Sequence, residues 1–162
     1  MFDQNILLIV YPYNGYSDQL LKHDAEIGKK IRQTIDDYRA FGYQICYLFF
    51  AKNEVQRLEP NYDKDKVDVN IFYVDEKIDL LWSCGVTAEE FILGKRPDLD
   101  VVRQQILYKF PDQYCNLVLG GFHLKDCVEK LYKYLTADVY QDKLLVTIDE
   151  NLTDQCFNTN DC

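Results

Sequence analysis

The sequence predicts a three-layer α/β domain whose doubly wound, mostly parallel sheet has about six strands. Apolar, β-branched runs typical of buried strands alternate along the chain with segments whose apolar residues recur at helical spacing. The chain has 162 residues, and its 48% hydrophobic and 28% charged residues are typical of one globular domain. We therefore expect one domain over residues 1–150 and a polar C-terminal tail over 151–162.

The first part of the chain predicts a βαβ unit. Asn5–Tyr11 is a continuous apolar run, which indicates a strand buried on both faces. Ser17 can cap the following amphipathic helix, and Gly42 can end it. Tyr43–Ala51 is the next buried strand, and we expect a right-handed crossover between the two strands.

The middle of the chain is less regular. Lys52–Lys66 is polar and predicts an exposed connection, whereas Val67–Tyr73 and Ile78–Ser83 each predict a strand. Thr87 and Glu90 have the spacing of a capping box, which predicts the start of a short helix.

The last part repeats the alternation of helix and strand. Asp98 can cap a helix that Pro111 ends. A strand over Cys115–Gly120, a helix over Asp126–Ala137 and a final strand over Lys143–Ile148 follow. Parallel sheets of this kind bind their ligands at the carboxyl ends of their strands, so we expect the functional site there.

The charge of the chain narrows the possible partners. There are 18 Lys and Arg against 27 Asp and Glu, a formal net charge of −9. A polyphosphate backbone or an anionic membrane needs a basic surface, so we expect neither as a partner. No apolar stretch reaches the roughly 20 residues of a membrane span, and Ile6–Val10 is too short for a signal-peptide core. We expect a cytoplasmic protein that binds a small molecule.

The cysteines and histidines do not form a metal-site pattern. The six cysteines are scattered without a CxxC pair, and the two histidines are His23 and His123. The sequence therefore predicts no metal site and no cofactor. In the polar tail, Cys156 and Cys162 are expected to be free thiols.

Cys127 is the candidate nucleophile. Gly120 and Gly121 predict a sharp turn at the end of a strand, and an amphipathic helix follows. Cys127 is expected in the first turn of that helix, where unpaired N–H groups lower the pKa of a thiol. His123, four residues earlier, is a candidate partner that could take the thiol proton.

Two segments resemble the isochorismatase-like cysteine hydrolases, which include nicotinamidases and N-carbamoyl amidohydrolases. Their nucleophile segment reads Gly-Val-x-Thr-x-x-Cys-Val, and Gly121–Val128 matches it at the Gly, Cys and Val positions. Their first strand ends in Asp-x-Gln-Asn, and here Tyr11–Asn14 falls at that place. The resemblance implies the isochorismatase-like fold, a homodimer or homotetramer, and acyl transfer by a Cys, an Asp base and a Lys.

The departures from this pattern affect the predicted chemistry. Tyr11 stands at the position of the Asp, and a phenol is a poor general base at neutral pH. Lys95 is the candidate for the Lys, although Ser83 or Cys84 holds the corresponding strand end. Lys52–Lys66 lacks the paired histidines that metal-binding members carry after their second strand. The predicted binding residues are Tyr11, Tyr13, Asn14, Cys84, Gly121 and Phe122.

Three functions remain open from the sequence. The first is a divergent member that has lost ordinary hydrolysis and acts as a small-molecule-binding or assembly module. The second is an active cysteine hydrolase, for amide or other C–N bonds, in which His123 or a carboxylate replaces the missing Asp. The third is a redox site that pairs Cys84 with Cys127.

Overall fold

The computed structural model describes residues 2–12, 26–49, 79–87, 89–90, 93–137 and 143–154. A single π-helical turn, Leu124–Val128, joins the fourth described strand to the third described helix. In chain order the strands and helices are β1 (Gln4–Val10), α1 (Ile27–Ala40), β2 (Gln44–Phe49), β3 (Leu80–Ser83), α2 (Leu99–Lys109), β4 (Cys115–Phe122), α3 (Glu129–Leu135) and β5 (Leu144–Asp154).

The five described strands form one parallel sheet in the order β3-β2-β1-β4-β5. Helix α1 packs on one face of the sheet, and α2 and α3 pack on the other. The three-layer, parallel α/β fold predicted from the sequence is confirmed. The strand predicted over Val67–Tyr73 lies outside the described residues, as does the connection predicted over Lys52–Lys66.

The position of β1 in the middle of the sheet explains why its sequence is continuously apolar. Its residues alternate between the two faces of the sheet, and those from Ile6 to Val10 are at most 1% exposed. Leu7 and Ile9 pack with Ile31 and Ile35 of α1. Ile6, Leu8 and Val10 pack on the opposite face, against α2 and α3. Both faces are covered by helices, so a polar residue on either side of this strand would be buried.

The predicted helix caps agree with the structure where it describes them. The Asp98 carboxylate accepts a hydrogen bond from the Asp100 N–H at 3.0 Å, and α2 begins at the next residue after Asp98. The Glu90 N–H donates to the Thr87 hydroxyl at 3.0 Å, as the capping box requires. For α1, the expected cap Ser17 lies outside the described residues.

Strand β4 is longer than predicted, because it runs through both glycines to Phe122. Gly121 has a φ of +96° and pairs with Val10 of β1. A Cβ at this position would overlap the Val10 backbone, so only glycine fits. The sharp turn expected at Gly120 and Gly121 therefore begins after Phe122.

Strand β5 also extends beyond its predicted end at Ile148 and reaches Asp154. Leu152 is fully buried on the α1 side of the sheet, where a Cβ added to Gly120 would lie 2.8 Å from the Leu152 Cβ. Residues 151–154, which the sequence assigned to the polar tail, are thus part of the sheet. None of the helices among the described residues combines the length and apolarity needed to cross a membrane.

Candidate functional site

A cavity of about 350 Å³ opens at the carboxyl edge of the sheet, on the side of α2 and α3. It lies where β1 and β4 end, which is the edge expected for a site in a parallel sheet. Its lining combines a thiol, a phenol, three charged groups and two apolar side chains: Tyr11, Arg96, Pro97, Leu99, Asp126, Cys127 and Lys130.

Cys127 lies in the π-helical turn, two residues before α3 begins at Glu129. Its pKa is raised above its ordinary value, chiefly because burial penalises the thiolate and next because the Asp126 carboxylate repels it. Lys130, a hydrogen bond from the His123 backbone and Arg96 act in the opposite direction and only partly compensate. The expectation that a helix start lowers this pKa is wrong, since Cys127 precedes α3 and is desolvated beside a carboxylate.

Among the described residues around the Cys127 thiol, positively charged side chains outnumber negatively charged ones. Lys130 Nζ lies 2.8 Å from Asp126 Oδ1, an ion pair between residues four apart. Arg96 adds a second cation to the cavity lining. Among the described residues, the lining thus carries two cations and one anion, although the whole chain has a net charge of −9.

Tyr11 holds the position where the resemblance implies a general base. It follows β1 directly with a φ of +52°, and its N–H donates to the Leu48 carbonyl at 3.0 Å. It is 2% exposed and lines the cavity together with Cys127. The Tyr11 side chain forms a hydrogen bond with Cys84.

Cys84 follows β3, at the strand end where the resemblance implies a lysine. It is fully buried, and burial raises its pKa to about 11, although the hydrogen bond from Tyr11 acts to lower it. The Cys127 thiolate adds to this rise, so the two thiols are close enough to interact electrostatically. The structure therefore brings together Tyr11, Cys84 and Cys127. Within the part of the chain that the structure describes, neither Cys84 nor Cys127 forms a disulfide bond, and the same holds for Cys46 and Cys115.

His123 acts on Cys127 through its backbone. Its side chain is 1% exposed and packs against the Phe122 ring, with ring centroids 5.7 Å apart. The His123 carbonyl accepts from the N–H groups of Asp126 and Val128, which fixes the start of the turn. The peptide bond between Phe122 and His123 is cis. The imidazole is not part of the cavity lining, so its position does not favour a role as the base.

Lys95 points away from the cavity. Its Nζ lies 2.6 Å from Glu90 Oε2 in an exposed ion pair, and it is not part of the cavity lining. The next residue, Arg96, lines the cavity instead. Sequence reasoning missed Arg96 because the loop before α2 carries no motif that fixes which of two adjacent basic residues turns inward.

Of the remaining predicted binding residues, two lie outside the described part of the chain and two do not line the cavity. Tyr13 and Asn14 lie outside the described residues. Phe122 packs in the cluster on the α1 side of the sheet, away from Cys127. Gly121 has no side chain to bind a ligand, and its role is to let β4 approach the backbone of β1 closely. Asp126 and Lys130 were also missed, although their spacing of four residues around Cys127 is the signal of a helical ion pair.

Within the described ranges, histidines, cysteines and carboxylates form no cluster that could hold a metal ion. Comparison with protein-family models gave no match, and neither did comparison with curated proteins. A solved structure, the crystal structure of N-carbamoylsarcosine amidase from Thermoplasma acidophilum, matches with a TM-score of 0.51 and 13% sequence identity. The match covers 97% of this chain and 87% of the amidase chain.

The chain has the fold of N-carbamoylsarcosine amidase. This likeness confirms the fold that the isochorismatase-like resemblance implies, over nearly the whole chain. At 13% identity the likeness concerns the arrangement of strands and helices. The chemistry at the carboxyl edge of the sheet depends on Cys127 and its neighbours.

Proposed function

We propose that this domain is a divergent relative of the isochorismatase-like cysteine hydrolases that binds a small anionic molecule and has lost ordinary hydrolysis. The observation that carries the proposal is the environment of Cys127. Its pKa is raised, and a phenol stands where the resemblance implies a carboxylate base. The fold likeness to an amidase supports the relationship but not the activity.

The state of the thiol argues against efficient hydrolysis. Attack on a carbonyl requires the thiolate, and a thiol with a raised pKa is protonated at neutral pH. A general base would remove the proton from the thiol, and such assistance typically contributes about 10²–10⁴-fold to the rate. A phenol with an ordinary pKa of about 10 holds its own proton at neutral pH, so Tyr11 cannot replace that base.

The cavity lining supports an anionic ligand. Arg96 and Lys130 provide two cations, and Asp126 is the one anion among the described lining residues. Arginine suits the planar geometry of a carboxylate because its N–H groups can bind both oxygens at once. Pro97 and Leu99 supply an apolar wall for the uncharged part of the ligand. A small carboxylate with a compact apolar body fits both features.

One observation favours an active hydrolase as a second candidate. Asp126 lines the same cavity as Cys127 and is its neighbour in the chain. Its carboxylate is held by Lys130 at 2.8 Å. If Lys130 binds the substrate and releases Asp126, the carboxylate becomes able to accept the thiol proton. In that case Asp126 is the rearranged base, and substrate binding activates the thiol.

A pair of probes tests the two candidates together. Isothermal titration calorimetry is performed with N-carbamoylsarcosine and with its methyl ester, which lacks the negative charge, and ammonia release is followed in parallel. The proposal expects the acid to bind at least about tenfold more tightly than the ester, because a desolvated ion pair adds roughly 1–3 kcal/mol. It also expects no ammonia release that depends on Cys127.

Matched variants assign the effect to the cavity. Arg96→Gln and Lys130→Gln are expected to weaken binding of the acid, whereas Lys133→Gln, an exposed lysine on α3 outside the cavity lining, is expected to leave it unchanged. Equal binding of acid and ester contradicts the anionic ligand. Ammonia release at roughly 1 s⁻¹ or faster that disappears in Cys127→Ser establishes the active hydrolase instead.

A further inference from the structure

A second cavity, of about 500 Å³, lies on the other face of the sheet, between α1 and β5. Its walls come from α1, β5 and the π-helical turn. Of these three elements, only the turn also lines the Cys127 cavity. The residues that matter for its chemistry are Lys30, Ile31 and Thr34 of α1, Leu124 of the turn, and Glu150 and Thr153 of β5.

Two side chains of opposite charge line this cavity. Lys30 and Glu150 both line it, and neither forms an ion pair with any described residue. Other lysines of the described chain do pair, for example Lys29 with Glu26 at 3.3 Å and Lys143 with Asp112 at 2.9 Å. The separation of Lys30 from Glu150 leaves each charge available to a ligand.

Two hydroxyl groups of the lining, those of Thr34 and Thr153, add hydrogen-bonding capacity. The Thr34 hydroxyl donates to the Lys30 carbonyl at 2.8 Å, which leaves its lone pairs free to accept. The Thr153 hydroxyl is buried and has no hydrogen-bond partner among the described residues. A buried polar group without a partner is costly, so a ligand that bonds Thr153 would recover that free energy.

Apart from the polar side chain of Asn151, the rest of the described lining is apolar. Ile27 and Ile31 stand on the side of α1, and Leu124 comes from the turn that follows β4. Small-molecule sites typically combine such an apolar wall with a few polar groups that fix orientation. Here the polar groups are a cation on α1, an anion and the Asn151 amide on β5, and one hydroxyl on each of these two elements.

We propose that this second cavity binds a small zwitterion with a branched apolar side chain, the chemical class of a free aliphatic α-amino acid. Its carboxylate pairs with Lys30, its ammonium pairs with Glu150, and its side chain packs on Ile31 and Leu124. The site is distinct from the Cys127 cavity, and it does not depend on the function proposed there.

Three probes that share one carbon skeleton test the proposal by calorimetry on the full chain. L-leucine carries both charges, 4-methylpentanoate lacks the ammonium, and 3-methylbutylamine lacks the carboxylate. Leucine is expected to bind at least about tenfold more tightly than either analogue, since each lost ion pair removes a charge-assisted hydrogen bond. Millimolar leucine that gives no binding, or analogues that bind as tightly as leucine, would overturn the proposal.

Variants then assign the binding to this cavity. Lys30→Gln and Glu150→Gln are each expected to weaken leucine binding about tenfold, because each removes one of the two charges. Lys29→Gln removes the adjacent charge on α1, which does not line the cavity, and is expected to have no effect. Arg96→Gln, which removes a cation from the Cys127 cavity, is likewise expected to leave leucine binding unchanged, and a loss of binding in this variant would place leucine in the Cys127 cavity instead. Leucine binding that Lys30→Gln and Glu150→Gln leave unchanged contradicts the assignment.

Discussion

The side chain of Tyr11 forms a hydrogen bond with Cys84, and both residues lie at strand ends beside Cys127. The resemblance to cysteine hydrolases implies an aspartate and a lysine at these two strand ends. An Asp–Lys pair would carry two charges next to the nucleophile, whereas a phenol and a buried thiol carry none at neutral pH. This exchange of a charged pair for a neutral one is the main physical difference between this site and the expected triad.

Removing the Tyr11 hydroxyl should destabilise the fold modestly. Tyr11→Phe deletes the hydrogen bond to Cys84 and leaves a buried thiol without that partner, so we expect a loss of about 1 kcal/mol in the free energy of unfolding. Urea denaturation measures it. Tyr108→Phe is the control, because Tyr108 is 90% exposed. Equal effects of the two substitutions would contradict the role of the hydrogen bond.

Stability should fall in alkaline solution, in part because of Cys84. Its pKa rises from 9.0 to about 11 on folding. Between these values the unfolded chain has lost the proton while the folded chain keeps it, so the free energy of unfolding decreases as pH rises. The change from this thiol amounts to roughly 2 kcal/mol between pH 9 and pH 11.

Urea denaturation across this pH range, compared between the wild type and Cys84→Ser, isolates the contribution. The variant is less stable overall, because a hydroxyl replaces a buried thiol, but its stability should decline less steeply with pH. Parallel declines in the two proteins would show that Cys84 titrates normally.

Two glycines with positive φ should respond very differently to alanine. Gly121→Ala introduces a Cβ that overlaps the Val10 backbone, so we expect a loss of about 3 kcal/mol or more, or failure to fold. Gly42→Ala has a similar φ of +86° but no atom within 4 Å of the added Cβ. Its cost should be the backbone penalty alone, about 1 kcal/mol. Thermal unfolding distinguishes the two, and similar costs would mean that β4 does not approach β1 as described.

Gln105 should be important for the end of β3. Its side-chain amide donates to the Ser83 carbonyl at 2.6 Å and accepts from the Ser83 N–H at 3.1 Å. Gln105→Ala leaves both backbone groups of a buried residue unpaired, which should cost about 2 kcal/mol of unfolding free energy. Gln104 is the residue next to Gln105 in the chain. Gln104→Ala removes an exposed hydrogen bond to Asp100 and should cost far less. Calorimetric unfolding of both variants decides whether Gln105 holds this strand end.

Much of the fold could be predicted because local patterns and burial agree. The continuous apolar run of β1 requires cover on both faces, and Asp98 caps α2 through a bond within two residues. The extension of β5 could not be predicted, since the burial of Leu152 depends on Gly120 in the neighbouring strand. The inward turn of Arg96 and the outward turn of Lys95 likewise depend on the packing of a loop rather than on a sequence pattern.

The site illustrates the same limit. The sequence correctly placed Cys127 after a strand, but the α-helix in whose first turn Cys127 was expected begins two residues later, at Glu129. It could not predict that Cys127 lies within a π-helical turn that precedes α3, or that burial and Asp126 would raise the pKa of the thiol. Both effects arise from the surroundings of the sulfur in three dimensions.

The pH dependence of Cys127 alkylation by iodoacetamide tests the central claim most directly. Rates at individual cysteines are followed by mass spectrometry of the peptides, and Asp126→Asn serves as the matched variant. We predict that the rate at Cys127 is still rising with pH where that of free cysteine has levelled off, because burial and Asp126 hold the pKa up. Asp126→Asn should shift the profile to lower pH. A rate at Cys127 that is already maximal near neutral pH, far above that of the other thiols, would contradict the account and establish an activated nucleophile.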